Sequence, residues 1–340
     1  MKALVLYGKK DVRVTTDFPE PPLGPDSVKI AVSYCGLCGT DLHKYEGQSG
    51  SHPVTYPVPL GHEASGIVTE VGENVRDFQP GDRVTANPNW YCKSCYFCKN
   101  GQNHLCLHGR GVVKGFAEYI CPPQENVHKL PDHLPLKYAA LAEPLSCCIH
   151  GMDLLGLKMG QTVAVIGFGS IGAIFVQLCK LAGASNIIVI ETQESKKELA
   201  ASLGATLFLN PAHTDVSEEI RAAGIPNVDR VIECVGLSAT MESALEIAGR
   251  GAVVVLFGLG APNSSFAFRQ YDAFQKELVV KTSYINPDCT ERAVALLASG
   301  GIELKPLISG VLTLEEMAEE LVTRELFKKG KVLAEIAKEA

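Results

Sequence analysis

The hydrophobic pattern of the chain changes near residue 150. Beyond that point, continuous apolar runs such as TVAVIGFG (162–169) and NIIVIE (186–191) alternate with segments whose apolar positions recur every three or four residues, such as SIGAIFVQLCKLAG (170–183). Short continuous runs indicate strands buried on both faces, and the longer period indicates amphipathic helices. Strands that alternate with helices are typical of βαβ units. Residues 151–286 are therefore predicted to form an α/β domain with a doubly wound parallel sheet.

The first 150 residues have a different pattern of apolar and turn-forming residues. Short β-type runs such as ASGIVTEVG (64–72) are separated by turns rich in Gly and Pro, which predicts an all-β unit of the barrel type. After residue 286 the βαβ alternation ends. There the pattern predicts helices over 287–300 and 314–330, followed by a final strand, KVLAEI.

Composition narrows the class of protein. A chain of 340 residues exceeds the size at which one core stops growing, so two domains are expected. The net charge of −7 argues against a nucleic-acid partner, and no segment reaches the length of a membrane span. The N-terminal MKALVLYGKK lacks the apolar core of a signal peptide, so we expect a cytoplasmic protein with no membrane partner. The 12 cysteines are then expected to be thiols or metal ligands rather than a disulfide framework.

A glycine motif suggests a dinucleotide site. Gly167-x-Gly169-x-x-Gly172 follows an apolar run and opens a helical segment, and Glu191 ends the next strand 19 residues beyond Gly172. The helix N-terminus would bind the diphosphate, and Glu191 would accept hydrogen bonds from ribose hydroxyls and repel a 2′-phosphate, which favours NAD over NADP. The alternative is a turn that only packs a helix on a sheet. The residues expected to bind the cofactor are Gly167, Gly169, Ser170, Ile171, Gly172, Glu191 and Lys196.

Four cysteines form a second motif. NWYCKSCYFCKNGQNHLC has the spacing C-x2-C-x2-C-x7-C, and its cysteines are Cys92, Cys95, Cys98 and Cys106. Four thiolates this close in sequence can enclose one zinc ion tetrahedrally, with no open coordination position, so the ion would be structural. An iron–sulfur cluster is the competing interpretation, because cysteines at this spacing also bind such clusters.

The stretch CGLCGTDLH (35–43) carries a further cysteine pair, Cys35 and Cys38. It could be a redox dithiol, half of a zinc knuckle, or a site that uses only one sulfur. The tripeptide Gly61-His62-Glu63 lies downstream on a β-type segment, and by itself it carries almost no information.

Taken in order, these motifs resemble the zinc-containing medium-chain dehydrogenases along essentially the whole chain. GHE-x2-G-x5-G-x2-V is the signature of that family, and Glu143-Pro144-Leu145-Ser146 resembles its polyol branch, the sorbitol dehydrogenase-like enzymes. The resemblance implies a Rossmann domain at 151–286 inserted in a GroES-like β-barrel catalytic domain. That domain would comprise residues 1–150, with a structural zinc lobe at about 88–108, and residues 287–340.

The resemblance also implies roles for individual residues. Cys38 and His62 would bind a catalytic zinc, and Cys35 would be a buried bystander. Glu63 and Glu143 are candidates for the remaining positions: both could ligate, or one could bind the zinc directly while the other holds the zinc-bound water. Thr40 and His43 would carry the substrate proton towards solvent.

The implied activity is reversible hydride transfer between a secondary alcohol of a polyol or vicinal diol and NAD, with two zinc ions per chain, in a homodimer or homotetramer. Threonine or a simple secondary alcohol is the alternative substrate, and a non-catalytic dinucleotide-binding structural protein is the alternative of another class. The segment SYINPD (283–288) lacks the Arg-Tyr pair with which sorbitol enzymes hold their polyol. Tyr284 and Asn286 are candidate polar substitutes there.

Overall fold

The structure is a computed structural model that describes residues 1–48 and 54–337. The chain folds into two compact units. The first comprises Met1–Ser146 and Ile285–Ala340, and the second comprises Cys147–Tyr284. The second unit is therefore an insertion in the first along the sequence.

The strands alternate with loops in the first unit and with helices in the second. In the described part of the chain they are β1 Ala3–Gly8, β2 Asp11–Thr15, β3 Val28–Gly36, β4 Val58–Pro59, β5 Glu63–Val71, β6 Arg83–Ala86, β7 Asn89–Trp90, β8 Arg110–Gly111, β9 Tyr119–Ile120, β10 Val127–Lys129, β11 Thr162–Ile166, β12 Asn186–Ile190, β13 Leu207–Leu209, β14 Arg230–Glu233, β15 Val253–Leu256, β16 Val279–Thr282, β17 Ile308–Leu312 and β18 Lys331–Glu335.

Helices occur in both units, and the two longest have 14 and 12 residues. Within the described residues they are α1 Gly39–Tyr45, α2 Tyr96–Lys99, α3 Leu136–Ala139, α4 Ala142–Leu155, α5 Ser170–Leu181, α6 Lys197–Leu203, α7 Val216–Ala222, α8 Ser238–Ile247, α9 Gln270–Lys276, α10 Thr290–Ala298 and α11 Leu314–Thr323.

The second unit is built on a parallel sheet, as the alternating pattern predicts. Its strand order is β13-β12-β11-β14-β15-β16, and neighbouring strands pair in parallel throughout. In this doubly wound order, strands are added on one side of β11 as far as β13 and then on its other side from β14 to β16. The strand order therefore reverses between β11 and β14. Ligands of such sheets bind at the carboxyl ends of the strands beside this reversal.

The first unit contains mainly antiparallel sheets. One has the order β2-β1-β4, and a larger one has the order β10-β6-β5-β3-β18-β17 with β9 also on β3. Strand β3 pairs with β5 on one side and with the C-terminal β18 on the other. The register aligns Gly36 with both Glu63 and Leu333, so three distant parts of the sequence meet at the end of β3.

One predicted boundary differs from the structure, and one helix was not predicted. The helix predicted over 314–330 ends at Thr323, where Arg324 adopts a left-handed conformation with φ 60°. The carboxylate of Glu320 then accepts the backbone N–H groups of Leu326 and Phe327, at 2.9 and 2.8 Å, and holds the departing chain. Helix α4 was not anticipated, because its sequence begins with Glu-Pro and has no clear apolar period. Among the described residues, no helix has both the length and the apolar character needed to cross a lipid bilayer.

Candidate functional site

Cys38, His62 and Glu63 come together at the end of β3. Cys38 is the N-cap of α1, directly after β3, and Glu63 is the first residue of the paired strand β5. One ligand atom from each of the three residues lies within 4.8 Å of the others. The pairing of β3 with β5 therefore brings residues that are distant in sequence close together in space. As a result, a sulfur, an imidazole and a carboxylate converge on one point.

Negative charge accumulates around His62. Asp41 is fully buried, and its Oδ1 lies 3.7 Å from His62 Nδ1 and accepts the N–H of Gly61 at 3.0 Å. Burial alone would lower the pKa of His62, but the charges of Asp41 and Cys38 raise it well above its usual value. Burial would conversely raise the pKa of Asp41, and His62 holds it at about 2. The negative charges of Asp41 and Cys38 therefore favour a positive charge at this site.

Glu63 is paired with a lysine from the C-terminal strand. Lys331 Nζ lies 2.5 Å from Glu63 Oε1 and donates to the carbonyl of Leu37 at 3.0 Å. The side chains are 4% and 0% exposed, respectively. Burial would lower the pKa of Lys331, but Glu63 and Cys38 raise it. Sequence reasoning missed both Lys331 and Asp41, because neither belongs to a ligand motif.

Two buried polar atoms of this group, His62 Nδ1 and Glu63 Oε2, have no hydrogen-bond partner among the described residues. Oε2 lies so close to Gly36 that a Cβ there would be 1.9 Å away, so only glycine fits beside it. Unsatisfied buried atoms are costly, and His62 and Glu63 belong with Cys38 to a set of one sulfur, one nitrogen and one oxygen ligand. Three such ligands fit a zinc ion with an open fourth position.

The other residues predicted around this zinc lie nearby in the fold. Glu143 is 7% exposed in the first turn of α4 and lies outside the convergent set, although its charge acts on Lys331. Thr40 and His43 are on α1, the helix that begins after Cys38, and His43 Nδ1 lies 2.6 Å from Gln48 Oε1.

Cys35 does not share the environment of Cys38. It lies in β3, is completely buried, and burial raises the pKa of its thiol well above the usual value. A redox dithiol needs a thiolate that solvent and partners can reach. The structure therefore disfavours the dithiol interpretation of this cysteine pair.

The four-cysteine motif forms a second convergent group. One sulfur from each of Cys92, Cys95, Cys98 and Cys106 lies within 4.8 Å of the others, and the sulfurs of Cys95 and Cys106 are 3.9 Å apart. A tetrahedron with zinc–sulfur bonds of about 2.3 Å has edges of about 3.8 Å. The spacing therefore fits a single ion, whereas a four-iron cluster would hold its cysteines farther apart. Hydrogen bonds from Ser94 and Cys95 lower the pKa of Cys92 to about 5, which favours its thiolate.

The glycine motif forms the turn between β11 and α5. Gly167 has φ +88°, and a Cβ on Gly172 would lie 1.9 Å from the Gly167 carbonyl. Gly169 is the N-cap of α5, and a Cβ there would meet no protein atom within 4 Å. Ser170 and Ile171 open the helix. Two of the glycines are thus required by packing, while the space at Gly169 faces away from the protein.

Glu191 follows β12 at the carboxyl edge of the parallel sheet. Its carboxylate accepts the N–H groups of Phe168 at 2.9 Å and Gln193 at 3.0 Å, and Lys196 Nζ lies 3.3 Å away. Burial would raise the pKa of Glu191, but these three groups lower it below its usual value. Lys196, predicted to cover a ribose, is thus ion-paired with Glu191.

Asn286 is not available as a substitute for the polyol-binding residues of sorbitol enzymes. It is fully buried, its Oδ1 accepts from Asn89 Nδ2, and its Nδ2 donates to Ser146 Oγ, both at 2.7 Å. Its amide is therefore part of the protein interior.

Comparison with known proteins gives consistent matches along the chain. Residues 24–132 match the alcohol dehydrogenase GroES-like domain, and residues 170–299 match the zinc-binding dehydrogenase domain. The sorbitol dehydrogenase of Bacillus subtilis (strain 168) is 33% identical over 335 residues, covering 96% of this chain and 94% of that protein. The (R,R)-butanediol dehydrogenase of the same strain is 33% identical over 339 residues, covering 94% of each.

One solved structure is similar over nearly the whole length of this chain. The crystal structure of a zinc-binding dehydrogenase from Sinorhizobium meliloti 1021, bound to NADP, has a TM-score of 0.92 at 38% identity and covers 98% of both chains. Together with the family matches, this confirms the predicted combination of a GroES-like domain and a Rossmann domain.

Proposed function

The chain belongs to the zinc-containing medium-chain dehydrogenase family, and we propose that it transfers hydride reversibly between a secondary alcohol of a polyol or vicinal diol and NAD. The observation that carries this proposal is the convergence of Cys38, His62 and Glu63 within 4.8 Å at the end of β3. The sorbitol and butanediol dehydrogenases among its relatives support the substrate class.

Cys38, His62 and Glu63 hold the catalytic zinc in this proposal. Zinc, when bound, supplies a Lewis acid that acidifies the substrate hydroxyl. The carboxylate of Asp41 lies 3.7 Å from His62 Nδ1, and Lys331 neutralises Glu63 so that the three ligands do not place two uncompensated negative charges in the interior. Glu143 remains the alternative carboxylate ligand, and its burial in the first turn of α4 supports a role beside the site.

Thr40 and His43 take the substrate proton. Both belong to α1, so their separation from Cys38 is set by one helix, and His43 is already oriented by Gln48. We assign residues 1–150 and 287–340 to the catalytic domain, with a structural zinc lobe at about 88–108, and residues 151–286 to the NAD-binding domain. The protein then contains two zinc ions per chain and acts in the cytoplasm.

A homodimer or homotetramer is the proposed assembly. Strand β16 is at the edge of the parallel sheet, and Tyr271 and Phe274 on the preceding α9 are 70% and 69% exposed. Unprotected edges with apolar neighbours favour association. Light scattering after gel filtration would give at least twice the mass of 36.4 kDa, and a monomer at all concentrations would contradict this assignment.

Glu191→Ala is expected to lower kcat/KM for NAD about ten- to a hundredfold, because charge-assisted hydrogen bonds contribute about 1.5–3 kcal/mol. NADP should hold steady or gain, since the variant also removes a charge that repels its phosphate. The measurement is kcat/KM for both cofactors with one alcohol. Glu194→Ala, with a side chain that is 59% exposed, is the control and should keep the NAD-to-NADP ratio. A wild type that prefers NADP, or an unchanged ratio in Glu191→Ala, would contradict the assignment.

Cys92→Ser is expected to reduce bound zinc from two to one per chain and to lower the unfolding midpoint by at least about 5 °C, because a closed thiolate site stabilises the folded lobe. Metal analysis and thermal unfolding check this. Cys121→Ser, a half-buried cysteine outside both clusters, should keep two zinc ions. Full zinc content with an unchanged midpoint in Cys92→Ser would rule out a structural zinc there.

The substrate class is tested by a dehydrogenase screen with NAD and NADP. The panel contains sorbitol, xylitol, 2,3-butanediol, threonine and 2-propanol. We expect the polyols and the diol to be oxidised more efficiently than the last two. Preference for threonine or 2-propanol would select the alternative substrate, and binding of NAD without oxidation of any alcohol would favour the non-catalytic alternative.

A further inference from the structure

A series of buried hydrogen bonds joins distant parts of the first unit. Asn89 Nδ2 donates to Asn286 Oδ1, and Asn286 Nδ2 donates to Ser146 Oγ, both at 2.7 Å. The Ser146 hydroxyl in turn donates to the backbone carbonyl of Glu143 at 2.6 Å. Asn286 and Ser146 are fully buried, and Asn89 is 6% exposed. Because each group donates to the next, the series has one direction and runs from Asn89 to Glu143.

The first end of this series lies in the structural zinc lobe. Asn89 is on β7, three residues before the first of the four cysteines. The segment that carries Asn286 has a second contact there, because Asp288 Oδ2 lies 3.4 Å from Nδ2 of Asn103, which is three residues before the last cysteine. The segment therefore contacts the lobe near both ends of its cysteine motif.

The other end of the series is the first turn of α4. Ser146 and Glu143 both belong to this helix, and Glu143 is in its first turn. A serine that bonds back to a carbonyl of its own helix competes with the backbone and slightly destabilises the helix. The amide of Asn286 fixes that hydroxyl, so the arrangement of the turn that carries Glu143 depends on Asn286.

The backbone around Asn286 is strained. Ile285 has φ 47° and Asp288 has φ 48°, both in the left-handed region. Left-handed φ is uncommon for residues other than glycine, and it is a genuine outlier for a β-branched residue such as isoleucine. Conformations of this kind persist only where the surrounding structure imposes them, and they cluster at functional sites. The contacts of Asn286 and Asp288 supply that constraint.

Packing alone does not require these polar groups. Each buried amide or hydroxyl loses its hydrogen bonds to water, and an apolar side chain of similar volume avoids that loss. A satisfied buried polar network instead makes its surroundings rigid and specifies one arrangement of them. The bonds between Asn89, Asn286 and Ser146 thus fix where the first turn of α4 lies relative to the lobe.

We propose that Asn286 is a positioning residue that sets the place of Glu143 at the catalytic zinc site and links it to the structural zinc lobe. This inference rests on the proposed function, because Glu143 acts through the zinc of that site. The metal ion of the four-cysteine group then supports turnover as well as folding, through Asn89, Asn286 and Ser146.

The first test measures the geometry of the three-ligand site. A chelator empties that site, Co²⁺ replaces zinc in it, and the visible absorption of Co²⁺ reports the ligand geometry. In Asn286→Leu we expect a changed spectrum, a loss of Co²⁺ to chelator that is about ten- to a hundredfold faster, and a kcat lower by a similar factor, as is typical when a group behind the metal ligands is removed. KM for NAD should change by less than about twofold. Ser146→Ala should change the same quantities in the same direction.

Thr162→Val is the matched control. Thr162 is 4% exposed in β11, and its Oγ1 accepts from Asn186 Nδ2 at 3.1 Å in the second unit. The variant also removes one partner of a buried hydrogen bond, so it should lower the unfolding midpoint while the cobalt spectrum and kcat stay as in the wild type. If Asn286→Leu likewise lowers only the midpoint, Asn286 has a structural role and the proposal is wrong.

A double-mutant cycle tests the link to the lobe. Cys92→Ser should change the cobalt spectrum of the three-ligand site in the wild-type background, and it should cause little further change in the Asn286→Leu background. Equal effects of Cys92→Ser in both backgrounds would mean that the lobe acts by another route, and would overturn the link. If Cys92→Ser does not fold, Asn89→Leu takes its place, because it breaks the same end of the series and keeps all four cysteines.

Failure of the inference and failure of the proposed function give different results. Oxidation of an alcohol by the wild type, together with unchanged cobalt spectra in Asn286→Leu and Ser146→Ala, would overturn the positioning role alone. Absence of any alcohol oxidation would overturn the proposed function, and the spectra and rates of Co²⁺ loss would then decide the role of Asn286 without turnover. A three-ligand site that takes up no Co²⁺ would overturn both.

Discussion

Cys38→Ser is expected to abolish dehydrogenase turnover, to lower the zinc content by one ion per chain, and to leave the fold and NAD binding intact. Cys38 supplies the sulfur of the Cys38–His62–Glu63 group and is not part of the glycine loop at 167–172. Lewis-acid stabilisation contributes several kcal/mol, so kcat should fall by roughly a thousandfold or more. The measurements are metal content, NAD affinity and turnover on one preparation.

Cys35→Ser is the matched control, because Cys35 lies three residues away on the same segment but is completely buried in the core. A buried hydroxyl without a partner should lower the unfolding midpoint, but turnover per bound zinc should stay near that of the wild type. Near-normal turnover of Cys38→Ser that retains both zinc ions, or equal loss of activity in the two variants, would contradict the role assigned to Cys38.

Lys331→Met is expected to destabilise the metal-free protein by about 3–5 kcal/mol, since removing one partner of a buried ion pair leaves the other charge uncompensated. Glu63 is 0% exposed, and Lys331 Nζ is the ion-pair partner of its Oε1. Zinc should recover part of this loss, because a cation bound by Glu63 replaces the missing ammonium. Denaturant unfolding with zinc and with chelator measures both effects.

A double-mutant cycle with Glu63→Gln isolates the charge. Lys331→Met/Glu63→Gln should be more stable than Lys331→Met alone in chelator, because it buries no unpaired carboxylate. Lys331→Arg should retain most of the wild-type stability. The interpretation fails if Lys331→Met changes the metal-free stability by less than about 0.5 kcal/mol, or if Glu63→Gln does not rescue it.

Local patterns were sufficient for the parallel sheet and for the closed cysteine group. Continuous apolar runs predicted β11 and β12 at their observed places, because strands buried on both faces are mostly apolar. Cys92, Cys95, Cys98 and Cys106 lie within 15 residues of one another, so their convergence needs only one loop. The buried strands and the four-cysteine group thus both depend on residues that are close together in the sequence.

The partners of the candidate catalytic site depend instead on long-range pairing. Lys331 meets Glu63 across 268 residues because β18 and β5 both pair with β3, and a lone lysine before a final strand gives no signal of this. The end of α11 was missed for a similar reason: Glu320 turns back to the N–H groups of Leu326 and Phe327, whereas the apolar period continues beyond Thr323.

Stepwise removal and replacement of zinc in the wild type tests the central claim most directly. A chelator should empty the three-ligand site of Cys38, His62 and Glu63 before the closed four-cysteine site. We predict that NADH formation from the best polyol falls in proportion as the zinc content decreases from two to one per chain, and that one equivalent of Zn²⁺ restores it. Undiminished NADH formation after the first zinc has been removed would contradict the account.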